Sequence, residues 1–267
     1  MDAVRVENVC KKFRIRDGQS GFFGQVRNFI SPKFRDVNAV QNLSFNIKQG
    51  ERVAFLGPNG AGKSTTLKML VGILYPTEGR IEILGKVPWK QRKSLAYKIG
   101  NVFGNRSQLW YHLSVKDSFD LFARIYDLEP KTHRHRLKDL VQAFEIQPLL
   151  PKGVRQLSLG ERMKCELVAS LLHRPEILFL DEPTIGLDVT AKLTLRKLIF
   201  ERSEKEGMTL VLTSHDAGDI GSICDRLLII HDGTLRLDLP RPDLKSPFTD
   251  SSVQEIYRSM SHQCGVV

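Results

Sequence analysis

The fold of this chain is indicated most directly by the segment Gly57-Pro58-Asn59-Gly60-Ala61-Gly62-Lys63-Ser64-Thr65. It matches the pattern G-x-x-x-x-G-K-[ST], with the apolar strand candidate Val53–Leu56 before it and the helical run Thr66–Leu70 after it. Glycines let the backbone wrap closely around an anion, so that N–H groups and the helix dipole point at it. The stretch therefore predicts a polyphosphate site, in which Lys63 reaches the β- and γ-phosphates and Ser64 ligates Mg²⁺.

A second pattern predicts the acidic side of the same site. The apolar run Ile177–Leu180 ends in two adjacent carboxylates, Asp181 and Glu182. Open α/β sheets bind ligands at the carboxyl ends of their strands, and adjacent carboxylates repel each other unless a cation or a proton separates their roles. We therefore predict that Asp181 holds Mg²⁺, directly or through water, and that Glu182 orients and deprotonates an attacking water.

Alternating strands and helices predict an α/β fold with a parallel sheet core and an antiparallel β region at the amino end. The motif at Gly57–Thr65 makes this core one of the P-loop NTPase type. Further strands are predicted at Ala3–Val9, Leu43–Ile47 and Thr209–Thr213. From about residue 105 to 172 no comparable strand occurs, and Val115–Ile125 and Leu137–Phe144 have helical spacing. We therefore expect a mostly helical insertion there.

The segment 17–36 does not fit this core. Four of its apolar residues would line one helical face, flanked by basic residues: Phe22, Val26, Phe29 and Ile30. Such an amphipathic basic insertion could touch lipid headgroups or a helix of a partner. The alternative is a short amphipathic helix packed on its own core.

Composition excludes several classes of protein. The 267 residues are 41% hydrophobic and 26% charged, which is incompatible with a disordered or collagen-like chain. No run of about eighteen apolar residues occurs, so we do not expect the chain to cross a bilayer by itself. Its 4 cysteines are scattered without metal-ligand spacing, which predicts reduced thiols in a cytosolic protein.

Three more motifs follow in order. Leu157-Ser158-Leu159-Gly160-Glu161, here called the signature loop, precedes a helix; Gly186-Leu187-Asp188 follows the acidic pair; and His215 follows the strand Thr209–Thr213. In order and spacing the five motifs resemble the nucleotide-binding subunit of an ATP-binding cassette (ABC) transporter. The resemblance runs from about residue 3 to 238. It implies an ABC ATPase architecture, with a nucleotide-binding domain over 1–240 and a tail over 241–267 that contains a short helix near Ser251–Met260.

The resemblance also implies how the site works. Two such domains would dimerise head to tail around two ATP molecules, and the signature loop of one would cover the ATP held by the phosphate loop, Gly57–Thr65, of the other. Ser158 and the backbone at Gly160 would then bind the γ-phosphate in trans, and Asp188 would connect the two sites at the dimer interface. In cis, His215 would contact the γ-phosphate.

The resemblance implies three sets of site residues. The implied catalytic residues are Lys63, Glu182 and His215. The implied nucleotide-binding residues are Phe13, Gly57, Pro58, Asn59, Gly60, Ala61, Gly62, Lys63, Ser64, Thr65 and Gln108. The implied signature residues are Ser158, Leu159, Gly160 and Glu161.

The sequence departs from the family pattern in three places. Leu159 and Glu161 stand where the family usually has glycine and glutamine. Gly104 fills the slot of an expected glutamine, so Gln108, four residues later, is the candidate sensor of the metal and the γ-phosphate. The aromatic residue that stacks on adenine is best matched by Phe13, with Phe34 as the alternative.

Within the family, this sequence most resembles the separate-subunit ATPases of exporters. The features are Asp181–Asp188, Ser107–Leu113 and the extra segment before Ala39. The resemblance implies membrane-spanning subunits supplied in trans, a second ABC ATPase subunit that is identical or closely related, and a peripheral location on the cytoplasmic face of the inner membrane. ATP and Mg²⁺ are the implied ligands.

The main alternative is a soluble, non-transport ABC ATPase acting on nucleic acid or ribosomes. Its only support is the charge: the chain carries a net +10, and residues 1–150 hold 25 Lys and Arg against 13 Asp and Glu. Such proteins commonly resemble two fused cassettes, whereas one phosphate loop occurs here, so we expect no nucleic-acid partner. A regulatory ATP-binding module that no longer hydrolyses is disfavoured because Lys63, Ser64, Asp181, Glu182 and His215 are all retained.

The basic excess instead suggests a membrane-facing surface. It divides into +4 over residues 1–36, +2 over 37–79 and +6 over 80–150. Most of it therefore lies outside the segment of the phosphate loop, on parts that could face anionic headgroups or a membrane partner. A solvated basic surface is the alternative.

Overall fold

The computed structural model describes residues 1–16, 34–104, 107–240, 249, 251, 252, 254 and 255. Its strands are β1 (Asp2–Arg16), β2 (Phe34–Lys48), β3 (Arg52–Leu56), β4 (Glu78–Ile83), β5 (Ile99–Phe103), β6 (Ile177–Asp181), β7 (Thr209–Thr213), β8 (Arg226–His231) and β9 (Thr234–Pro240). Three of them form an antiparallel sheet in the order β2-β1-β4. The other six form a sheet in the order β5-β6-β7-β3-β8-β9, parallel except for β9. The predicted α/β class, with an antiparallel region at the amino end, is confirmed.

The helices of the described residues are α1 (Lys63–Leu70), α2 (Arg92–Ala96), α3 (Val115–Ile125), α4 (Pro130–Ala143), α5 (Leu159–Leu171), α6 (Val189–Glu206) and α7 (Ala217–Ile223). Helices α3, α4 and α5 occupy the region in which we predicted a helical insertion. Helix α4 begins earlier than the predicted Leu137 because Pro130 stands in its first turn and the Glu129 carboxylate accepts N–H bonds from that turn. No helix in the described ranges combines the length and the hydropathy needed to span a membrane.

The first two strands are longer than predicted, and this corrects one boundary. Residues 34–36, which we placed in the amphipathic insertion, belong to β2 and pair with the end of β1, as in the pairs Arg14 with Asp36 and Arg16 with Phe34. The backbone ladder between the two strands extends through a charged stretch that the apolar pattern does not mark. The predicted helical face from Phe22 to Ile30 lies outside the described residues, as does most of the helix predicted at Ser251–Met260.

The larger sheet is buried on both faces. Along β6, Ile177 and Phe179 point into the core shared with the antiparallel sheet, whereas Leu178 and Leu180 point into the core shared with the helices. A parallel strand with both faces covered is apolar throughout, which explains the uninterrupted runs in β6 and β7. Every residue of β6 is buried, so the Asp181 carboxylate at the end of this strand is buried as well.

We predict that Phe119→Ala destabilises the fold by about 3–5 kcal/mol, because Phe119 is fully buried on α3 and its removal leaves a cavity among packed side chains. Ile125→Ala is the matched control, since it lies on the same helix but is 51% exposed, and it should change the free energy of unfolding by less than about 0.5 kcal/mol. Urea unfolding measures both. Equal effects of the two substitutions would contradict the packing of α3.

Candidate nucleotide-binding site

The phosphate loop connects β3 to α1 and has two positions that need glycine. Gly62, at the start of α1, has φ +103°, and a Cβ there would lie 2.5 Å from the carbonyl oxygen of Ala39. A Cβ on Gly57 would lie 2.1 Å from the carbonyl oxygen of Ile230 on β8. The loop is therefore packed against neighbouring backbone on both sides, and a residue with a Cβ does not fit at position 57 or 62.

Lys63 and Ser64 open helix α1. The Lys63 side chain is buried, and its Nζ donates to the carbonyl oxygens of Gly57, at 2.7 Å, and Pro58, at 3.1 Å. Burial lowers the pKa of the Lys63 ammonium, while the nearby Glu182 and Asp181 act in the opposite direction. The loop thus holds a cation at its centre, where the sequence predicts the β- and γ-phosphates.

Asp181 joins three parts of the site. It is the last residue of β6, it is buried, and its Oδ1 accepts from the Ser64 hydroxyl at 3.0 Å and from the Thr213 hydroxyl at 2.6 Å. Hydroxyl and carboxylate oxygens are the donors that Mg²⁺ prefers in proteins. The pair Ser64 and Asp181, predicted separately from distant segments, lies together.

Glu182 follows with a left-handed backbone, φ +53°, which is costly for a residue with a Cβ. Its N–H is directed at both the carbonyl and the hydroxyl oxygen of Thr213, each at 3.1 Å, and these contacts hold the turn. Its Oε1 lies 3.0 Å from Nε2 of His215. Burial raises the pKa of Glu182, and Lys63 opposes this shift.

His215 completes the group. Its Nε2 lies 3.4 Å from Nζ of Lys63 as well as beside Glu182. Burial and the Lys63 charge lower the pKa of His215, which favours the neutral ring. The Lys63 ammonium and the Glu182 carboxylate therefore both lie within hydrogen-bonding range of the His215 imidazole.

One cleft of about 290 Å³, here called the phosphate cleft, is lined by Lys63, Ser64, Glu182 and His215 but not by Asp181. Its lining among the described residues is Ala39, Asn59, Gly60, Ala61, Gly62, Lys63, Ser64, Thr65, Glu182, Ile185 and His215. Neither adenine candidate is in this set: Phe13 pairs with Val37 across β1 and β2, and Phe34 is 50% exposed beneath the guanidinium of Arg14. The stacking roles of Phe13 and Phe34 stay predictions.

The structure does not bring Gln108 to the phosphate cleft. Its side-chain amide donates to the carbonyl oxygen of Glu166 at 3.1 Å, and its N–H donates to the carboxylate of the same residue at 3.2 Å. Glu166 is buried on α5, and these hydrogen bonds hold Gln108 against that helix. The position next to the acidic pair is filled by Gly104 instead, where a Cβ would lie 2.7 Å from the carbonyl oxygen of Glu182.

The signature loop forms a separate cleft of about 670 Å³, here called the signature cleft, which Ser158, Leu159, Gly160, Glu161 and Asp188 line with others. Ser158 caps α5 by accepting from the N–H of Glu161 at 3.2 Å. Asp188 caps α6 by accepting from the N–H of Ala191 at 2.9 Å. The predicted trans residues and the predicted interface residue are thus neighbours, apart from the phosphate cleft of the same chain.

Sequence reasoning missed Thr213 and Asp219. Thr213 is fully buried and bonds both members of the acidic pair, and its only signal is its place at the end of β7, two residues before His215. Asp219 is also fully buried and accepts from Thr184 and Ser214, each at 2.6 Å. Nothing in the local sequence marks that carboxylate as part of the site.

Comparison with known proteins agrees with this geometry. The family model described as "ABC transporter" matches residues 40–185. The chain is 34% identical over 207 residues to the ABC transporter ATP-binding protein NatA of Bacillus subtilis (strain 168), a match that covers 76% of this chain and 84% of that protein. This chain belongs to the ABC transporter family. It is likewise 34% identical over 216 residues to the bacitracin transport ATP-binding protein BcrA of Bacillus licheniformis, across 81% of this chain and 69% of that one.

A solved structure extends the comparison to the whole fold. This ABC protein superposes with a TM-score of 0.74 and 26% identity on cbiO1 from Clostridium perfringens, part of the ABC transporter complex cbiONQ, over 99% of both chains. Together these relatives support an ATP-binding, ATP-hydrolysing subunit of an ABC transporter. They do not support the alternative of a non-transport ATPase acting on nucleic acid or ribosomes.

We predict that Gly62→Ala weakens ATP binding strongly, because the new Cβ would strike the Ala39 carbonyl and distort the loop. Gly85→Ala is the matched control: Gly85 also has a positive φ, +72°, but nothing lies within 4 Å of its Cβ, and it is not in the lining of the phosphate cleft. Fluorescence titration with a labelled ATP analogue should show the larger loss for Gly62→Ala. An equal loss for Gly85→Ala would contradict the described packing of the loop.

Proposed function

We propose that this chain is the ATPase of an exporter, that it dimerises around ATP, and that it drives membrane-spanning subunits carried on other chains. One observation carries the dimer: the phosphate cleft holds Lys63, Glu182 and His215, whereas Ser158 and Asp188 line a different cleft of the same chain. A chain with two half-sites on separate surfaces can complete them by pairing with a second chain head to tail. That second chain is an identical copy or a close relative.

Ser64 and Asp181 are the residues that would hold Mg²⁺. Their oxygens lie 3.0 Å apart at the end of β6, and a hard cation prefers this donor set. When bound, Mg²⁺ neutralises charge on the β- and γ-phosphates. Thr213 keeps the Asp181 carboxylate in place by donating to the same oxygen.

Glu182, His215 and Lys63 would then divide the chemistry. Glu182 orients the attacking water and accepts its proton; its raised pKa and its position against His215 suit a general base. Lys63 and the loop N–H groups stabilise the charge on the β- and γ-phosphates. His215, neutral beside Lys63, donates toward the γ-phosphate.

The membrane role rests on the coupling between ATP and dimer closure. ATP shifts a dimer toward the closed state only if it binds that state more tightly, and a site completed by Ser158 of a second chain has this property. Helices α3, α4 and α5 would carry the motion to the cytoplasmic helices of the membrane subunits. The protein would therefore act at the cytoplasmic face of the membrane, bound peripherally through its partner.

The direction of transport is proposed from sequence pattern. The segments Asp181–Asp188 and Ser107–Leu113 resemble those of exporter ATPases, and BcrA, a relative at 34% identity, is a bacitracin transport ATP-binding protein. We also propose that Phe13 stacks on adenine, and that Gln108 must leave Glu166 in order to sense the metal and the γ-phosphate.

We predict that Glu182→Gln leaves ATP binding intact and slows hydrolysis by about 10²–10⁴-fold, the usual contribution of a positioned general base. Phosphate release from purified protein measures the rate, and equilibrium titration measures binding. Asp216→Asn, a carboxylate next to His215 whose Oδ2 pairs with Lys192, is the control for loss of a nearby negative charge and should slow hydrolysis far less. Near-normal turnover of Glu182→Gln would contradict the assignment of the base.

Purification from detergent-solubilised membranes tests the transport role. We expect the tagged chain to recover a multi-spanning membrane protein, and ATP hydrolysis to rise in its presence. A gel-shift titration with DNA and RNA at physiological salt is the companion measurement. Tight nucleic-acid binding without a membrane partner would contradict the proposal.

A further inference from the structure

Glu161 in the signature loop has both carboxylate oxygens engaged. Oε2 accepts from the N–H of Ser158 at 2.8 Å, while the N–H of Glu161 donates to the Ser158 hydroxyl at 3.2 Å, a reciprocal capping box. Oε1 lies 3.1 Å from Nζ of Lys152. The cap needs only one of the two oxygens, so the ion pair with Lys152 calls for a separate explanation.

In the single chain the Glu161 carboxylate is stabilised, because the Ser158 N–H and Lys152 lower its pKa and its charge lies in the first turn of α5. Glu161 also lines the signature cleft together with Ser158 and Gly160. In the proposed dimer this cleft receives the phosphates of the ATP bound by the other subunit. A bare carboxylate there would repel the triphosphate, and a neutral glutamine, which the family usually has, would not.

Lys152 is built to offset that charge. Its N–H donates to the carbonyl oxygen of Leu149 at 2.9 Å, and its own carbonyl oxygen accepts from the N–H of Val115 at 3.0 Å. The backbone from which the side chain starts is thus fixed on both sides, and the side chain lines the same cleft as Glu161. Lysine and glutamate together restore the neutrality that glutamine would provide.

The pair does little for the stability of the single chain. The Lys152 side chain is 44% exposed and that of Glu161 is 31% exposed, and exposed ion pairs contribute little in water. The same pair gains importance when a second subunit covers the cleft and excludes water, because charges then interact in a lower dielectric. Its effect should therefore be visible on dimerisation rather than on folding.

We propose that Lys152 is a positioning residue for ATP sandwiching, which neutralises and holds Glu161 so that Ser158 faces the γ-phosphate of the opposing ATP without a competing carboxylate. This inference rests on the proposed function, because it requires that the signature cleft close over nucleotide in a dimer. It explains how the chain keeps glutamate at a position where the family pattern has an uncharged amide.

The experiment measures ATP-dependent dimerisation of the full chain by light scattering, with Glu182→Gln present in every variant so that hydrolysis does not reverse the assembly. Lys152→Met should weaken dimerisation by about tenfold, as expected for one uncompensated charge at a partly dry interface. In a Glu161→Gln background the same Lys152→Met change should have almost no effect, because the charge it offsets is gone. Lys152→Arg should retain dimerisation.

Two controls separate positioning from a general structural or charge effect. Thermal unfolding should show nearly unchanged midpoints for the Lys152 variants. Lys98→Met removes a lysine of similar exposure, 42%, that pairs with Glu176 outside the signature cleft, and it should leave dimerisation unchanged.

The outcomes divide clearly between the two proposals. A parent Glu182→Gln protein that does not dimerise with ATP would overturn the sandwich and this inference with it. A parent that dimerises, with Lys152→Met indistinguishable from it, would overturn this inference alone. An equal loss in the Glu161→Gln background, or with Lys98→Met, would also overturn it, because Lys152 would not then act through Glu161.

Discussion

The Asp181 carboxylate accepts hydrogen bonds from Ser64 and Thr213, and this junction holds the catalytic end of the molecule together. It ties the phosphate loop after β3 to the ends of β6 and β7, which lie side by side in the sheet. The carboxylate is buried, so its charge requires these donors and a nearby cation. The strand that leads to Asp181 is apolar throughout because both faces of the sheet are covered. Asp181 is therefore a buried carboxylate at the carboxyl end of a buried strand.

A second buried carboxylate, Asp219, extends this junction away from the phosphate cleft. It accepts from the hydroxyls of Thr184 and Ser214 and from Nε of Arg196, each at 2.6 Å. Thr184 follows Glu182, Ser214 precedes His215, and Arg196 lies on α6, the helix that Asp188 caps. The loop that carries Glu182, the loop that carries His215 and helix α6 are thus all tied to the Asp219 carboxylate. Three donors satisfy it, as a fully buried carboxylate demands.

Prediction from sequence worked where the physical cause is local. The runs of β6 and β7 stand out because both faces of each strand are apolar, and helix α3 has the spacing of one buried face. Strand β5 was not predicted, because Gly100 and Asn101 interrupt its pattern. The sheet still needs that glycine, since a Cβ there would lie 2.6 Å from the carbonyl oxygen of Ser170. The requirement comes from a neighbouring helix, and no window of sequence around β5 contains it.

The residues of the candidate site show the same difference between local and long-range causes. The phosphate loop and the acidic pair are marked by the residues themselves, because glycine geometry and the adjacency of charges to apolar strands are properties of short segments. The signature loop and His215 are implied only by the resemblance to the family. The packing of the folded chain places Gln108 against Glu166, Thr213 against the acidic pair and Lys152 against Glu161. Those partners are up to 58 residues apart in the chain, as for Gln108 and Glu166. Side-chain contacts at such separation depend on how helices and strands pack, and that packing is a property of the whole fold.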